Sequence, residues 1–177
     1  MKEGSWALFV GRFQPLHLGH VHAVLHILKD EPRVVIAVGS SLSSHELRNP
    51  FTMGERVQMI LAALSESGID RGRYLITGVP DTPFHPSWVT YVLKSVPPIS
   101  KVYTNDPLTA TLFEEEGYKV IPVPLKDRGD YSGTEIRRRI LAGENWSQLV
   151  PPSVYKLIRE FGGDARVKKI STESFGS

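Results

Sequence analysis

The sequence predicts an α/β protein, with a doubly wound parallel sheet of the Rossmann-like kind in a single domain. Apolar runs of strand length alternate with segments of helical spacing, which indicates β-α units joined by right-handed crossovers. The strand-like runs are rich in Val and Ile without polar alternation, as is typical of strands covered on both faces. The chain has 177 residues, which is enough for one domain with a sizeable core.

Five short apolar segments are predicted as strands. They cover residues 6–10, 33–38, 74–77, 101–104 and 119–123. In sheets of this kind, ligands bind beyond the carboxyl ends of the strands. Polar residues that directly follow these segments are therefore the first candidates for a functional site.

The segments between the strands show helical spacing. Helices are predicted over residues 21–29, 52–67, 88–94 and 108–116. Thr52 and Glu55 fit a capping box at the start of the second helix. Gly68 and Gly117 stand where helix ends are expected, because glycine readily adopts the left-handed conformation of a helix C-terminus.

Beyond residue 124, helices are expected without further strands. Ser132 and Glu135 form a second candidate capping box, for a helix that runs to residue 140 or 141. A last helix is expected from the proline pair at 151 and 152 to Phe161, followed by a glycine pair.

These elements predict one domain over residues 1–163, including a C-terminal helical part from about 132. Residues 164–177 are polar and are expected to form a mobile tail, with room for a short helix near Val167.

Composition excludes several classes of protein. The formal net charge is +2, from 21 basic and 19 acidic side chains, which argues against a nucleic-acid coat or a polybasic membrane anchor. The absence of cysteine excludes disulfides and thiolate metal sites. No apolar run approaches the ~18 residues that cross a bilayer. The N-terminal residues lack the apolar region of a signal peptide, so a cytoplasmic protein with no membrane partner is expected.

The most informative motif is the segment GRFQPLHLGH at residues 11–20. It follows the first strand and leads into the first helix, so Gly11, Arg12, His17 and His20 are delivered to a helix N-terminus. Such a terminus has unpaired N–H groups and a partial positive charge, which suit a phosphate. Imidazoles add further donors. This segment predicts a site for the polyphosphate of a nucleotide.

Two other interpretations of the histidines stay open. An isolated pair would more often be two unrelated surface side chains, and only the flanking Gly11 and Arg12 in a strand–loop–helix context favour a site. A zinc site would need a third ligand, from His22, His45 or a carboxylate, and no spacing identifies one.

A second motif, SGTEIRRR at residues 132–139, opens the late helix. Ser132 and Thr134 place hydroxyls at its start, and Arg137 lies one turn further on, within reach of an anion held there. Consecutive arginines point about 100° apart on a helix, so one or two of the three are expected on a solvated basic face.

A third motif spans residues 44–56 and follows the second strand. Arg48 in this segment is a candidate phosphate ligand. Taken alone, it could equally be a surface arginine.

Together these three motifs resemble those of a known protein superfamily. H-x-G-H after the first strand and S-x-T-x-x-R opening a late helix are similar to the nucleotidyltransferase superfamily, which also contains class I aminoacyl-tRNA synthetases. The chain more closely resembles the archaeal-type nicotinamide mononucleotide (NMN) adenylyltransferases, over about residues 6–165. The matching segments are 11–20, 49–52 with 54–56, 131–139 and 149–151.

The resemblance implies transfer of AMP from ATP to NMN, which gives NAD and pyrophosphate without a covalent enzyme intermediate. It implies that His17 and His20 bind the ATP phosphates and stabilise the transition state. Gly11, Arg12, Arg48 and Arg137 would contact phosphates, with Arg12 and Arg137 acting in catalysis. Ser132 and Thr134 would hold the β/γ end of the triphosphate. Mg²⁺ would bind mainly through ATP oxygens, and the chain would form a homo-oligomer, with a hexamer as one candidate.

After the third strand, the family pattern has an aspartate and a tryptophan that would bind the acceptor, and Asp81 and Trp88 match them. Trp88 could stack on the cationic pyridine ring, or it could be a core residue. The chain departs from the pattern at His85 and at residues 104–106. Both departures fall near the expected acceptor pocket and leave the identity of the acceptor open. The sequence also does not distinguish NMN from nicotinate mononucleotide.

Two alternatives to this function follow from the same residues. A sister transferase would use another phosphorylated acceptor, flavin mononucleotide (FMN) or phosphopantetheine. A non-catalytic regulatory module would bind the nucleotide only, although binding alone would not require His17, His20, Arg12 and Arg137 together.

Overall fold

Five parallel strands form one sheet in the order β3-β2-β1-β4-β5. The structure is a computed structural model that describes residues 6–124 and 131–173. The strands are β1 (Trp6–Gly11), β2 (Val34–Val38), β3 (Tyr74–Gly78), β4 (Ile99–Tyr103) and β5 (Lys119–Ile121). The order reverses direction between β1 and β4, the arrangement of a doubly wound sheet. The predicted fold class is confirmed.

Seven α-helices are present in the described ranges. They are α1 (Leu18–Asp30), α2 (Met53–Glu66), α3 (His85–Ser95), α4 (Pro107–Glu115), α5 (Gly133–Ala142), α6 (Pro152–Glu160) and α7 (Gly163–Glu173). Short 3-10 turns cover Arg71–Arg73 and Ser147–Leu149. No helix within these ranges has the length and apolar character needed to cross a membrane.

Most predicted elements are present, with shifted ends. Strand β4 begins two residues earlier than expected, and α3 begins three residues earlier. Strand β5 ends at Ile121 rather than at residue 123, because Pro122 has no N–H to donate to a neighbouring strand.

The described residues form two compact units, each built from several chain segments. The first contains the sheet and comprises the described residues up to 12, with 23–41 and 70–124. The second comprises 13–22, 42–69 and the described residues from 131 onward. The predicted boundary at residue 163 is not tested by this division and stays a prediction.

The core of the first unit lies between the sheet and helices α3 and α4. Leu8, Val35 and Val102 from three strands pack with Val92 of α3 and Phe113 of α4, and all five are almost fully buried. All five residues of β2 are buried, as expected for a central strand.

In the second unit, helix α2 begins with the predicted capping box. The Thr52 hydroxyl accepts a hydrogen bond from the Glu55 N–H, and the Glu55 carboxylate accepts one from the Thr52 N–H. The same carboxylate receives two hydrogen bonds from Arg166, at 2.7 and 2.8 Å. These bonds tie α7 to the start of α2, and they hold the pKa of Glu55 below its usual value against the opposing effect of burial.

Helix α7 corrects the expectation of a mobile tail from residue 164. An 11-residue helix begins at Gly163, and Val167 is fully buried. A Cβ at position 163 would lie 2.5 Å from the Phe51 ring, so only glycine allows this close approach. The end of the expected tail, residues 174–177, lies outside the described residues.

Candidate active site

His17 and His20 form a stacked pair at the start of α1, in the second unit. Their ring centroids are 3.7 Å apart and their planes differ by 25°. The His17 N–H donates to Nδ1 of His20 at 3.2 Å, which satisfies one of the unpaired N–H groups at the helix start. The Phe13 ring lies 4.5 Å from the His20 ring. The His20 ring is thus held by one backbone bond and by aromatic rings.

The contacts also determine the protonation of the pair. Because Nδ1 of His20 accepts a backbone hydrogen bond, the proton of the neutral ring is on Nε2. Burial lowers the pKa of His17 to about 4. Burial, and next the neighbouring His17, keep the pKa of His20 well below its ordinary value. Both rings are therefore neutral near pH 7. Nδ1 of His17 is buried and has no hydrogen-bond partner among the described residues.

Arg137 of helix α5 reaches the same loop. One guanidinium nitrogen donates to the main-chain carbonyl of Gln14 at 2.6 Å, and another donates to the Thr134 hydroxyl at 3.3 Å. A Cβ at Gly133 would lie 2.7 Å from the same Gln14 carbonyl oxygen. The first turn of α5 therefore packs directly on the histidine segment.

The polar side chains at the start of α5 either cap the helix or form ion pairs on its surface. The Ser132 hydroxyl accepts a hydrogen bond from the Glu135 N–H at 3.1 Å and so caps the helix, while Thr134 is exposed. The expected reciprocal capping bond is replaced by ion pairs of the Glu135 carboxylate with Arg138 and Arg139. Hydrogen bonds from these two arginines lower the pKa of Glu135 to about 2. Arg138 and Arg139 thus serve a surface ion-pair network, which leaves Arg137 at the histidine segment.

Arg48 lies on the loop between β2 and α2. Its side chain is exposed, and no hydrogen bond or ion pair joins it to the other residues that the structure describes. The loop ends at Phe51, whose backbone is bound by the side chain of Gln14. Arg48 is therefore an exposed cation on a loop whose end is anchored by Gln14.

The first unit contains a cavity of about 440 Å³ beyond the carboxyl ends of β1 and β2. The loops that follow β3 and β4 complete it. Its lining includes Gly11, Arg12, Asp81 and Trp88, four of the residues singled out in the sequence. It also includes three polar residues that the sequence analysis did not select as ligands, Ser40, Thr82 and Thr109. His85 and Asp106, where the chain departs from the family pattern, line it as well.

Ser40 could have been found from its position. It follows β2 after a glycine, just as Arg12 follows β1 after Gly11. Its hydroxyl donates to the Asp81 carboxylate at 3.1 Å. This bond orients Asp81, which is otherwise exposed at the cavity.

Trp88 contacts the core and also lines the cavity. One edge of the indole packs against Phe113, with ring centroids 6.1 Å apart in a T-shaped arrangement. The residue is half-buried and also lines the cavity. Core packing fixes the ring, and its remaining surface is available to a ligand.

A metal site built from protein side chains is not seen in the described part of the chain. No three His, Asp or Glu side chains converge there. His22, considered above as a zinc ligand, instead has its ring edge-on to Tyr131, with centroids 6.2 Å apart.

Comparisons with known proteins agree with this geometry. Residues 8–139 match the cytidylyltransferase-like family. The chain is 47% identical over 165 residues to a nicotinamide-nucleotide adenylyltransferase of Pyrococcus horikoshii, covering 93% of this chain and 88% of that protein. It is 46% identical over 173 residues to the enzyme of the same name from Archaeoglobus fulgidus, covering 96% and 99%.

A solved structure from Francisella tularensis has a similar fold, with a TM-score of 0.78 at 24% identity. That protein is a bifunctional NMN adenylyltransferase/ADP ribose pyrophosphatase complexed with AMP and a manganese ion. The match covers 96% of this chain and 52% of the Francisella chain, and it supports the fold assignment.

Proposed function

The chain belongs to the cytidylyltransferase-like family and, within it, to the nicotinamide-nucleotide adenylyltransferases, and from this membership we propose the reaction and the roles of its residues. The protein transfers AMP from ATP to NMN and releases NAD and pyrophosphate. The observation that carries the assignment of the site is the contact of Arg137 with the histidine segment, because it joins the two motifs expected to bind the triphosphate.

The transfer is a direct displacement at the α-phosphorus of ATP. An oxygen of the NMN 5′-phosphate forms a bond to this phosphorus, and the bond to the oxygen that bridges to the β-phosphate breaks. The attacking phosphate is already ionised near neutral pH, so no general base is needed. The protein's task is then to position the two phosphates and to stabilise negative charge in the transition state.

His17 and His20 are neutral in the free protein, and in this proposal each ring donates a hydrogen bond to the ATP phosphates. The backbone bond to Nδ1 of His20 leaves its Nε2–H as the available donor. A neutral pair can be stacked at 3.7 Å without the repulsion that two imidazolium ions would suffer. A bound triphosphate would favour the protonated form of either ring and so strengthen its own binding.

Arg137 supplies a fixed positive charge. Its guanidinium is buried and oriented by neutral oxygen acceptors, Gln14 O and Thr134 Oγ1. A guanidinium can bind phosphate oxygens through paired hydrogen bonds. Ser132 and Thr134 stand at the N-terminus of α5, where backbone N–H groups and the helix dipole favour the β/γ end of the triphosphate. Arg48 contacts the phosphates from its own loop.

The acceptor is proposed to use the cavity of the first unit. Trp88 offers a partly free indole face to the cationic ring of NMN. Asp81, oriented by Ser40, offers a carboxylate to a donor group of the acceptor. Gly11 and Arg12 line the same cavity, and Arg12 is exposed there as a cation for a phosphate.

We propose Mg²⁺ as the cofactor, bound through the oxygens of ATP. The histidine segment and α5 offer imidazole and guanidinium groups rather than the oxygen ligands that Mg²⁺ prefers, so phosphate and water oxygens would hold the ion. When bound, it neutralises charge on the departing pyrophosphate.

An acceptor panel tests the function. The protein is incubated with ATP and Mg²⁺ together with NMN, nicotinate mononucleotide, FMN or phosphopantetheine, and pyrophosphate release is measured against a reaction without acceptor. Release with NMN is expected. Release only with FMN or phosphopantetheine would identify a sister transferase, and ATP binding without release for any acceptor would identify a regulatory module.

We further infer that the protein works in the cytoplasm as a homo-oligomer, with ATP and NMN rather than nucleic acid or membrane as partners. The resemblance to the family supports this inference. Light scattering on the purified protein would measure the oligomeric state, and a mass equal to one chain of 19.8 kDa would contradict it.

A further inference from the structure

Gln14 makes contacts in two directions from the centre of the histidine segment. Its side-chain amide exchanges two hydrogen bonds with the backbone of Phe51: Nε2 donates to the Phe51 carbonyl at 2.9 Å, and the Phe51 N–H donates to Oε1 at 2.9 Å. Its main-chain carbonyl accepts the 2.6 Å hydrogen bond from Arg137. Gln14 is 3% exposed and Phe51 is fully buried, so water cannot replace these partners.

Phe51 and Arg137, the two residues that bond to Gln14, belong to segments that carry proposed ligands of the triphosphate. Phe51 ends the loop that carries Arg48, three residues earlier, and it immediately precedes Thr52, the N-cap of α2. Arg137 is the buried cation of α5. His17 follows Gln14 by three residues in its own segment. One side chain and one carbonyl of a single residue therefore connect three separate segments of the second unit.

From this geometry we propose that Gln14 is a positioning residue for adenylyl transfer: its side-chain amide holds the Arg48 loop in register with the histidine segment, while its carbonyl orients Arg137. The inference rests on the proposed function, since it assigns Gln14 a part in the same triphosphate site. Gln14 itself need not touch the nucleotide, because both ends of its amide are already used by Phe51.

The amide is suited to this role by its chemistry. Phe51 presents one donor and one acceptor, and a carboxamide presents the complementary acceptor and donor in a fixed plane. Gln14→Met keeps the length of the side chain and removes both bonds. It leaves the main-chain carbonyl for Arg137 in place, so the variant tests the link to the Arg48 loop alone.

A double-mutant cycle tests the inference. Gln14→Met, Arg48→Ala and the double variant are compared by kcat/KM for ATP and by the Kd of ATP in titration calorimetry. We expect Gln14→Met to lower kcat/KM about 10-fold or more, the scale of losing good alignment. Arg48→Ala is expected to have a similar effect in the wild type, but less than about a twofold effect in the Gln14→Met background, because coupled residues are not additive.

Two results would overturn the inference. Full additivity, or no effect of either single variant on catalysis and ATP binding, would show that Gln14 does not act through Arg48. Arg73→Met is the matched control for lost stability. It removes three hydrogen bonds to the carbonyls of Leu28, Glu31 and Pro32 within the first unit, and it should lower Tm while leaving kcat/KM within about twofold.

A second variant keeps the test available if Gln14→Met folds poorly. In Gln14→Glu, a carboxylate can still accept from the Phe51 N–H but cannot donate to the Phe51 carbonyl, so one of the two bonds is kept. Its kcat/KM for ATP is expected to lie between those of wild type and Gln14→Met. A kcat/KM equal to that of wild type, with the full effect of Arg48→Ala retained in the Gln14→Glu background, would contradict the inference.

Failure of the proposed function is distinguishable from failure of this inference. Wild-type protein that binds ATP without transferring AMP would reject the function, and the same cycle on the Kd of ATP would still decide whether Gln14 acts through Arg48.

Discussion

Arg137 donates a 2.6 Å hydrogen bond to the main-chain carbonyl of Gln14, a residue 123 positions earlier in the chain. The bond joins the start of α5 to the loop before α1, and it holds a buried guanidinium against the segment that carries His17 and His20. A guanidinium oriented in advance costs no reorganisation when charge develops on a phosphate. This contact brings the histidine segment and the first turn of α5 together, as the proposed triphosphate site requires.

Removing the His20 ring should slow the reaction strongly. We expect His20→Ala to lower kcat by about 10²-fold or more, because one preorganised donor to the transition state is lost. Pyrophosphate release at saturating ATP and NMN measures the effect. His26→Ala, on the same helix but with no assigned role, should leave kcat unchanged. Normal turnover in His20→Ala would remove this residue from the site.

Burial of neutral His17 should make stability depend on pH. The unfolded chain takes up a proton near the ordinary pKa of 6.5, whereas folded His17 does so only near pH 4. Stability is therefore greatest above about pH 6.5 and falls as the pH is lowered toward 4, by roughly 3 kcal/mol for this residue. Urea unfolding of wild type and His17→Gln at several pH values measures the difference. Identical pH dependence in the two proteins would contradict the assignment.

Binding of ATP should be accompanied by proton uptake. The triphosphate brings negative charge to rings whose pKa values lie below their ordinary value in the free protein, and it should raise them. Calorimetry at pH 6 in buffers of different ionisation enthalpy measures the number of protons taken up. His17→Gln should take up fewer protons than wild type. Equal binding enthalpies in all buffers would argue against contact of the triphosphate with the pair.

Loss of the Trp88 indole should weaken binding of the acceptor. We expect Trp88→Ala to cost about 1–2 kcal/mol in NMN binding, with a much smaller change in the KM for ATP. Its Tm should also fall, because the ring packs on Phe113. Trp88→Phe, which keeps an aromatic face, should recover part of the NMN affinity. A lower Tm with an unchanged KM for NMN would make Trp88 a core residue only.

Some features of the site could be predicted from short segments. The strand β1, the start of α1 and the capping box of α2 are local patterns, set by apolar spacing and by side chains that bond to nearby backbone groups. Gly11 and Arg12 were expected beyond a strand end, and both line the cavity there.

Other features of the fold could not be predicted from short sequence segments. Helix α7 has few apolar side chains, and it is held by contacts of Arg166 with Glu55 and of Gly163 with Phe51, more than 100 residues away in the chain. Glu135 satisfies the pattern of a capping box, yet its carboxylate pairs with Arg138 and Arg139 because these stronger partners lie within reach.

Local sequence patterns are enough to predict the order of strands and helices and to select candidate phosphate ligands, because periodicity, helix capping and turn preferences act over a few residues. Tertiary structure alone decided that the His17 and His20 rings stack as a neutral pair, that Ser40 orients Asp81, and that Gln14 bonds to both Phe51 and Arg137. These features depend on burial and on partners distant in the chain, and local sequence patterns carry no information about either.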